Sequence, residues 1–434
     1  VACSLGINSL SVLLHHCGYH RSWQSPLSIQ FRRFSMARSV AVIGGGLTGC
    51  LSALALRSRG LNPTVFEAGT RLGGRSLVSQ FITSSNPHLD SVMSTLESEG
   101  LIKEWKGNFG LLGARGGFVS SKTVTLAMDG KTMGDENSDV TNTPTTDTGD
   151  FCGFLRNCHS HKLYKTDATI CDRICHLGGI ETRLSTAVKT PKFLDSKWII
   201  STNEDVEVVE IDDGSKKGDK VEKEKEKVKV DSSTSTSEAF DAIVIATHNP
   251  AYAANILDSL GDESVSKLSN ALSSLREDNK RPVCTLRVHY PAGTLSNVPF
   301  DAATVPADST VQFLSVTDAH VVTAVSTSSF AELHLERGGG KQTQMALLNA
   351  TNRLLEQFIG ERPEIIDSSI KIWRAAFTNA SLGDEEECVS IEPYKMAIAG
   401  DFICGAKGTP GEAGAVSGLM AGEMLATWFG GQGK

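Results

Sequence analysis

No acidic residue precedes Glu67 in this chain of 434 residues. Residues 1–38 carry Arg21, Arg32, Arg33 and Arg38 among many serines, with an apolar patch from Leu10 to Leu14. That is transit-peptide composition, and Phe31-Arg32-Arg33-Phe34-Ser35 reads as a mitochondrial cleavage region. The chain opens on Val1, however, and Met36-Ala37-Arg38 would be a natural start just before the first strand. Residues 1–38 are therefore expected to be a transit peptide or a non-native extension, with no place in the fold. The first reading puts the protein in a mitochondrion or plastid, the second in the cytoplasm.

Other absences narrow the class. No apolar run reaches about 18 residues, so no transmembrane helix is expected. Aromatics make up only 6% of the chain, no basic aromatic stripe is present, and the net charge is −8, which argues against a nucleic-acid partner. Regular zinc spacing is missing: Cys152, Cys158, His159, His161, Cys171, Cys175 and His176 fit no such pattern, and no metal site is expected. Cys50 and Cys404 read as small buried hydrophobes, which suits a reducing compartment. At 40% hydrophobic and 21% charged residues, the composition is that of an ordinary globular protein with two or three domain-sized cores.

What is present is concentrated in residues 39–75. Val40 to Ile43 is a β-branched apolar run and reads as a buried strand. Gly44, Gly46 and Gly49 follow in G-x-G-x-x-G spacing, then an Ala/Leu-rich helix to about Arg59 and a second strand, Thr64 to Phe66, ending on Glu67. In this order Gly44 allows the tight turn, Gly46 lets backbone approach a pyrophosphate, and Gly49 lets helix and strand pack closely. The helix N-terminus offers N–H groups to phosphate. Glu67 stands where a carboxylate accepts the hydroxyls of an adenosine ribose.

Arg71-Leu72-Gly73-Gly74-Arg75 follows at once. It resembles the second dinucleotide motif of FAD-dependent amine oxidases, phytoene desaturases and protoporphyrinogen oxidases. The resemblance implies FAD, with Gly73 and Gly74 passing close to its phosphates and Arg71 and Arg75 supplying positive charge.

Downstream, helical spacing runs from Asn86 to Glu104, with Leu89, Val92, Met93, Leu96, Leu101 and Ile102 on its buried face. Thr123 to Asp150 reads as a loop and Thr166 to His176 as a helix. Ala187-Val188 and Lys197 to Ser201 read as strands, and Val188 is a further cofactor-binding candidate. The Lys/Glu-rich run 204–238 reads as a charged low-complexity insert at a hairpin tip. Phe240 to Ala246 reads as a buried strand turning at Thr247-His248-Asn249-Pro250 into a helix. Pro282 to Tyr290, Val311 to Val316, Val321 to Ser326 and Ser369 to Phe377 read as strands, and Gln342 to Ile359 as a helix. Met396 to Ala399 is a short strand before Gly400-Asp401-Phe402, and a long helix begins near Glu412. Asp401 suits a hydrogen bond to a ribityl chain or phosphate. The small residues Ala413, Gly414, Ala415, Ser417 and Gly418 are expected to bring that helix close to a flavin. The fold expected is α/β: an FAD-binding Rossmann-like domain of glutathione-reductase type from residues 39–80, 160–262 and 395–430, with a mixed α+β substrate domain containing an antiparallel sheet from 81–159 and 263–394.

Taken over residues 39–430, the order of segments resembles renalase-type members of the flavin amine oxidase superfamily. Ser79-Gln80-Phe81-Ile82-Thr83 is similar to a Gly-Ala-Gln-Tyr-Phe-Thr segment, Leu96 to Phe109 to the helix after it, and Trp373-Arg374-Ala375-Ala376-Phe377 to a Trp-containing strand facing the flavin. The chain departs from that pattern between Arg75 and Ser79, where a strand-length piece is missing, at Lys165 to Thr169, and at Lys371-Ile372. The resemblance implies an FAD-dependent oxidase that takes hydride from a small reduced substrate, of dihydronicotinamide-isomer type, and passes electrons to O2 to give H2O2. Other superfamily chemistry, on amines or unsaturated rings, and a non-catalytic flavin-binding relative remain as alternatives. No catalytic acid or base is assigned, because the chemistry belongs to the flavin. Phe81 and Trp373 are candidates for the substrate-facing wall, with Lys371 or Arg374 for an anionic substrate. The oligomeric state is left open.

Overall fold

The structure is a computed structural model. It describes residues 38–430 apart from 115–116, 123–150, 159, 168, 204–235, 279–280, 307, 318, 337–339, 362, 379, 384–386 and 405–408. The presumed transit segment, the loop expected at 123–150 and most of the charged insert lie outside the described residues.

The chain starts with β1 (Ser39–Ile43), α1 (Leu47–Ser58) and β2 (Asn62–Phe66). One helical turn, α2 (Ser76–Ser79), leads into β3 (Phe81–Ser84) and α3 (Pro87–Ser98). Next come β4 (Phe109–Leu112), β5 (Phe118–Ser120), α4 (Phe154–Asn157), β6 (Lys162–Lys165) and α5 (Ile170–Gly178). Strands β7 (Glu181–Arg183), β8 (Ala187–Val188), β9 (Lys192–Leu194), β10 (Lys197–Asn203), β11 (Ser237–Phe240) and β12 (Ala242–Ile245) precede α6 (Pro250–Ser259) and α7 (Ser266–Asp278). Then follow β13 (Arg281–His289), β14 (Ala302–Thr304), β15 (Val311–Thr317), β16 (Val321–Ser326), α8 (Ser328–Glu336) and α9 (Lys341–Ile359). The last described elements are β17 (Asp367–Phe377), β18 (Val389–Ile391), β19 (Met396–Ile398) and α10 (Pro410–Gly430).

Two large sheets organise these elements. The first has strand order β18-β19-β12-β1-β2-β7, parallel except for the edge strand β18. Val40 and Val42 face α1, α5 and α10, while Ala41 and Ile43 face α6 and α7. Burial on both faces is why β1 and β12 read as continuous apolar runs. The run expected as one strand from Phe240 is in fact divided. Phe240 ends β11, which pairs with β10, and β12 begins at Ala242 in the parallel sheet. Between them Asp241 accepts hydrogen bonds from the Ser39 amide (2.9 Å) and Lys197 (2.6 Å), turning the chain from one sheet to the other.

The second sheet has order β17-β13-β16-β15-β14-β4-β5 and is antiparallel apart from β14 beside β4. Its Cys284, Leu286, Val288 and Ala324 side packs on α9. Its other side carries Val283, Ala302, Phe313 and Val325 toward Phe81, Phe151, Phe154 and Phe377. The expected α/β class, with a Rossmann-like domain and a mixed sheet, is borne out.

The closing helix packs closely on α1 through its glycines: a Cβ on Gly418 would stand 2.1 Å from the Thr48 carbonyl oxygen, and one on Gly414 2.9 Å from the Thr48 hydroxyl. The Ser52 hydroxyl lies 2.8 Å from the Gly418 carbonyl. The close approach holds α10 against the dinucleotide-binding helix. Gly418→Ala is expected to destabilise the fold by about 1–3 kcal/mol, because neither helix backbone can withdraw without uncoupling the sheet, and thermal unfolding measures it.

Candidate functional site: a dinucleotide cradle facing an aromatic sheet

The turn from β1 into α1 is built on glycine backbone. Gly44 has φ +111° and its amide donates to the Phe66 carbonyl (2.9 Å), which joins the turn to the end of β2. A Cβ on Gly49 would stand 1.9 Å from the Gly44 oxygen, so this close approach of helix and turn requires glycine. Gly46 precedes α1, and among the described residues no side chain caps that helix, which leaves its first N–H groups for an anion. A Cβ on Gly46 would meet nothing within 4 Å among the described residues.

Glu67 closes the cradle. Its carboxylate accepts from the Gly45 amide (2.8 Å) and the Gly69 amide (2.7 Å), which fixes the acid beside the glycine turn with lone pairs to spare. The Gly73 amide donates to the Gly45 carbonyl (2.9 Å), and Gly73 and Gly74, with φ +113° and +47°, carry the second motif alongside Gly46. Thus Gly44, Gly46, Gly49, Glu67, Gly73 and Gly74 are brought together.

The two arginines differ. Arg75 donates two hydrogen bonds to Asp401 (2.9 and 2.6 Å) and a third to the Ala376 carbonyl (3.2 Å). The Thr378 hydroxyl donates to the same carboxylate (2.8 Å). Burial pushes the Asp401 carboxyl up, but the Arg75 charge and these hydrogen bonds outweigh it and hold it below the usual carboxylate range. Arg75 and Asp401, expected at phosphate and ribityl chain, therefore spend their strongest bonds on each other. Arg71 remains exposed at the mouth.

Lys371 on β17 stands over the Trp373 ring (4.0 Å), and its ammonium is held below its ordinary pKa by burial first and by Arg71 second, with Glu67 opposing. Gly400 donates to the Ser417 hydroxyl (3.0 Å), while Phe402 is a buried core residue. The Val188 carbonyl is taken by the Tyr252 hydroxyl (3.3 Å). Phe81 is fully buried, packed edge-on to Phe154 (5.0 Å) and Phe151 (6.3 Å), so it belongs to the aromatic core rather than to an open wall. Trp373 is half-buried at the border of that core, and Arg374 is exposed.

Two further residues carry the site and had no sequence assignment. His248 follows β12, and its pKa is lowered by desolvation first and by Arg75 second, against the pull of Asp401 and Glu67. Its only signal was the turn after a buried strand. Glu412, 1% exposed, accepts from the Ser85 amide (2.5 Å), the Asn86 amide (2.9 Å) and the Thr83 hydroxyl, and so fastens the start of α10 to the turn between β3 and α3.

With this geometry in place the likenesses can be weighed. Residues 42–98 match the NAD(P)-binding Rossmann-like domain family. A stretch of 38 residues is 55% identical to protoporphyrinogen oxidase 2, chloroplastic/mitochondrial, of Arabidopsis thaliana, covering 9% of this chain and 8% of that protein. The structure is similar to an oxidoreductase from Methanosarcina mazei (TM-score 0.56, 12% identity, 88% of this chain and 99% of that one). It is also similar to cyclohexylamine oxidase from Brevibacterium oxydans (TM-score 0.56, 14% identity, 91% and 100%). The chain has the fold of the flavin amine oxidases. Putrescine oxidase bound to putrescine shares it as well (TM-score 0.52, 12% identity, 92% and 100%). These likenesses show the fold, and the cradle within residues 42–98 has the geometry of a dinucleotide site. Among the described residues, no helix is long and apolar enough to cross a membrane.

An independent observation also points to a ligand. Six buried side-chain polar atoms lack a hydrogen-bond partner among the described residues, and five of them are Ser76 Oγ, Gln80 Nε2, Thr285 Oγ1, Thr304 Oγ1 and Trp373 Nε1. Ser76 and Gln80 flank α2, next to Arg75. Strand register puts Thr285, Thr304 and Trp373 on the sheet face that looks toward the cradle. Unpaired buried donors are costly and mark places where a ligand or water completes them.

Two outcomes are expected. Gly46→Ala should leave stability within about 0.5 kcal/mol, since the added methyl meets no atom of the described residues, yet abolish retention of FAD on gel filtration. Asp401→Asn should cost about 3 kcal/mol at neutral pH by leaving Arg75 uncompensated. Because the folded pKa of Asp401 is depressed, the pair's contribution is present above the ordinary Asp value of about 4 and is lost as pH falls below it, so the melting temperature of the variant should fall less steeply than wild type on acidification through that window.

Proposed function

We propose that the protein is a renalase-like FAD-dependent oxidase acting on a small reduced substrate of the dihydronicotinamide-isomer type. The observation that carries the reading is the docking of the dinucleotide cradle, through Arg75 and Asp401, onto the β17 edge of a sheet whose inner face is aromatic. FAD, when bound, supplies the redox chemistry, accepting a hydride from substrate and passing electrons to O2 with release of H2O2.

The chain's own residues do the rest. Glu67 and the amides of the glycine turn hold the nucleotide end. The Arg75–Asp401 pair sets the spacing between cradle and sheet. Phe151 stacks on Phe313 (4.5 Å) and meets Phe377 edge-on (5.6 Å) near that pair, and these rings exclude water. Lys371 and Arg71 place positive charge at the mouth, which suits an anionic phosphate on the substrate.

A second reading rests on the same aromatic face: with seven aromatic rings in that core cluster besides the partly buried Trp373, an apolar ring system or an amine with an aromatic body would also be held there.

The purified protein, residues 36–434, is expected to keep a yellow flavin spectrum after dialysis. Anaerobic addition of mixed dihydronicotinamide isomers should bleach it, and air should restore it with peroxide formed. Retained flavin that only an amine or an unsaturated ring bleaches would transfer the protein to the second reading.

A further inference from the structure

We infer that Gln80 is a hydrogen-bond donor to the flavin ring, positioned by Ser315; this rests on FAD as the cofactor. Gln80 has φ +58°, a left-handed conformation that costs a non-glycine residue energy and persists where surrounding structure imposes it. The surroundings do impose it. The Thr166 amide donates to the Gln80 carbonyl (2.9 Å), the Thr166 hydroxyl donates to the Ser76 carbonyl (2.8 Å), and the Gln80 amide closes the turn onto Ser76 (3.3 Å). The side chain is only 7% exposed.

The amide is half satisfied. Its Oε1 accepts from the Ser315 hydroxyl on β15, which leaves Nε2 directed elsewhere, buried and without a partner among the described residues. Ser315 pairs with Ala302 and shares the inner face of the sheet with Phe313. Gln80 therefore spans from the turn that follows Arg75 to the aromatic face, at the junction where cradle and sheet meet. Ser76 Oγ, four residues earlier, is likewise buried and unpaired. A strained, bolted-down turn presenting two unpaired polar groups is a costly arrangement for a purely structural role.

The chemistry that pairs with such a donor is an electron-rich heterocycle edge. A donor held against the flavin ring favours its reduced form, which carries more negative charge, over its oxidised form. Ser315 acts through Gln80 by fixing which end of the amide points inward.

The test uses the full chain loaded with FAD, comparing wild type with Gln80→Leu, Gln80→Glu and Ser315→Ala. Removing one hydrogen bond should weaken FAD binding about 3- to 10-fold. Gln80→Leu should also move the flavin reduction potential to more negative values and shift the visible absorption band. Gln80→Glu should move the potential further in the same direction, and Ser315→Ala less far. If Gln80→Leu does not fold, Ser315→Ala, which lies outside the strained turn, still reads the effect. Wild type that takes up FAD, with variants of unchanged potential and spectrum, would overturn the role of Gln80 and leave the cofactor reading standing. Wild type that takes up no FAD would overturn the cofactor reading itself.

Discussion

The ion pair between Arg75 and Asp401 is the contact on which the site depends. It joins residues 326 apart and reaches a third segment through Ala376 on β17 and Thr378 just beyond it. A buried carboxylate is stable only when its charge is matched and its lone pairs are filled. Asp401 meets both conditions with three donors, and the Arg75 side chain reaches it from the rim, where 26% of it stays exposed. The geometry of the cradle relative to the sheet is therefore set by a bidentate, directional contact, and not by apolar packing that could slide.

Two other contacts hold that pair in place. The glycine stripe of α10 seats the helix on α1 so closely that backbone meets backbone, and Glu412 at its start fastens the turn leading into α3. Asp401 sits between β19 and α10, so both restraints fix its position. Gly414, Gly418 and Gly422 thereby serve the packing of α10 on α1.

The aromatic content is low, yet Phe81, Trp105, Phe109, Phe151, Phe154, Phe313 and Phe377 gather in one cluster against the inner face of the second sheet. Concentrating the rings there gives a water-poor surface beside the clamp, while unpaired hydroxyl, amide and indole groups sit among them. Apolar walls with a few placed donors are the usual make-up of a small-molecule site.

Much of the dinucleotide-binding half could be read along the chain. A strand buried on both faces must be continuously apolar, and a turn with φ +111° that lets a helix within 1.9 Å of a would-be Cβ must be glycine, so β1, the Gly44–Gly49 turn, α1 and β2 are written in neighbouring residues. Strands β13, β15, β16 and β17 and helix α9 were legible for the same reason, through their own periodicity. The pairing of Arg75 with Asp401, the seating of Gly418 on Thr48, the break at Asp241 and the half-satisfied amide of Gln80 were not. Each depends on which distant segment lies opposite, and a local pattern of polar or small residues is compatible with many partners. Local backbone sterics thus specified the cofactor cradle from 30-odd consecutive residues, whereas the tasks of Arg75, Asp401, Phe81 and Gln80 followed from long-range packing, because a hydrogen bond or ring contact has no signature in one of its members alone.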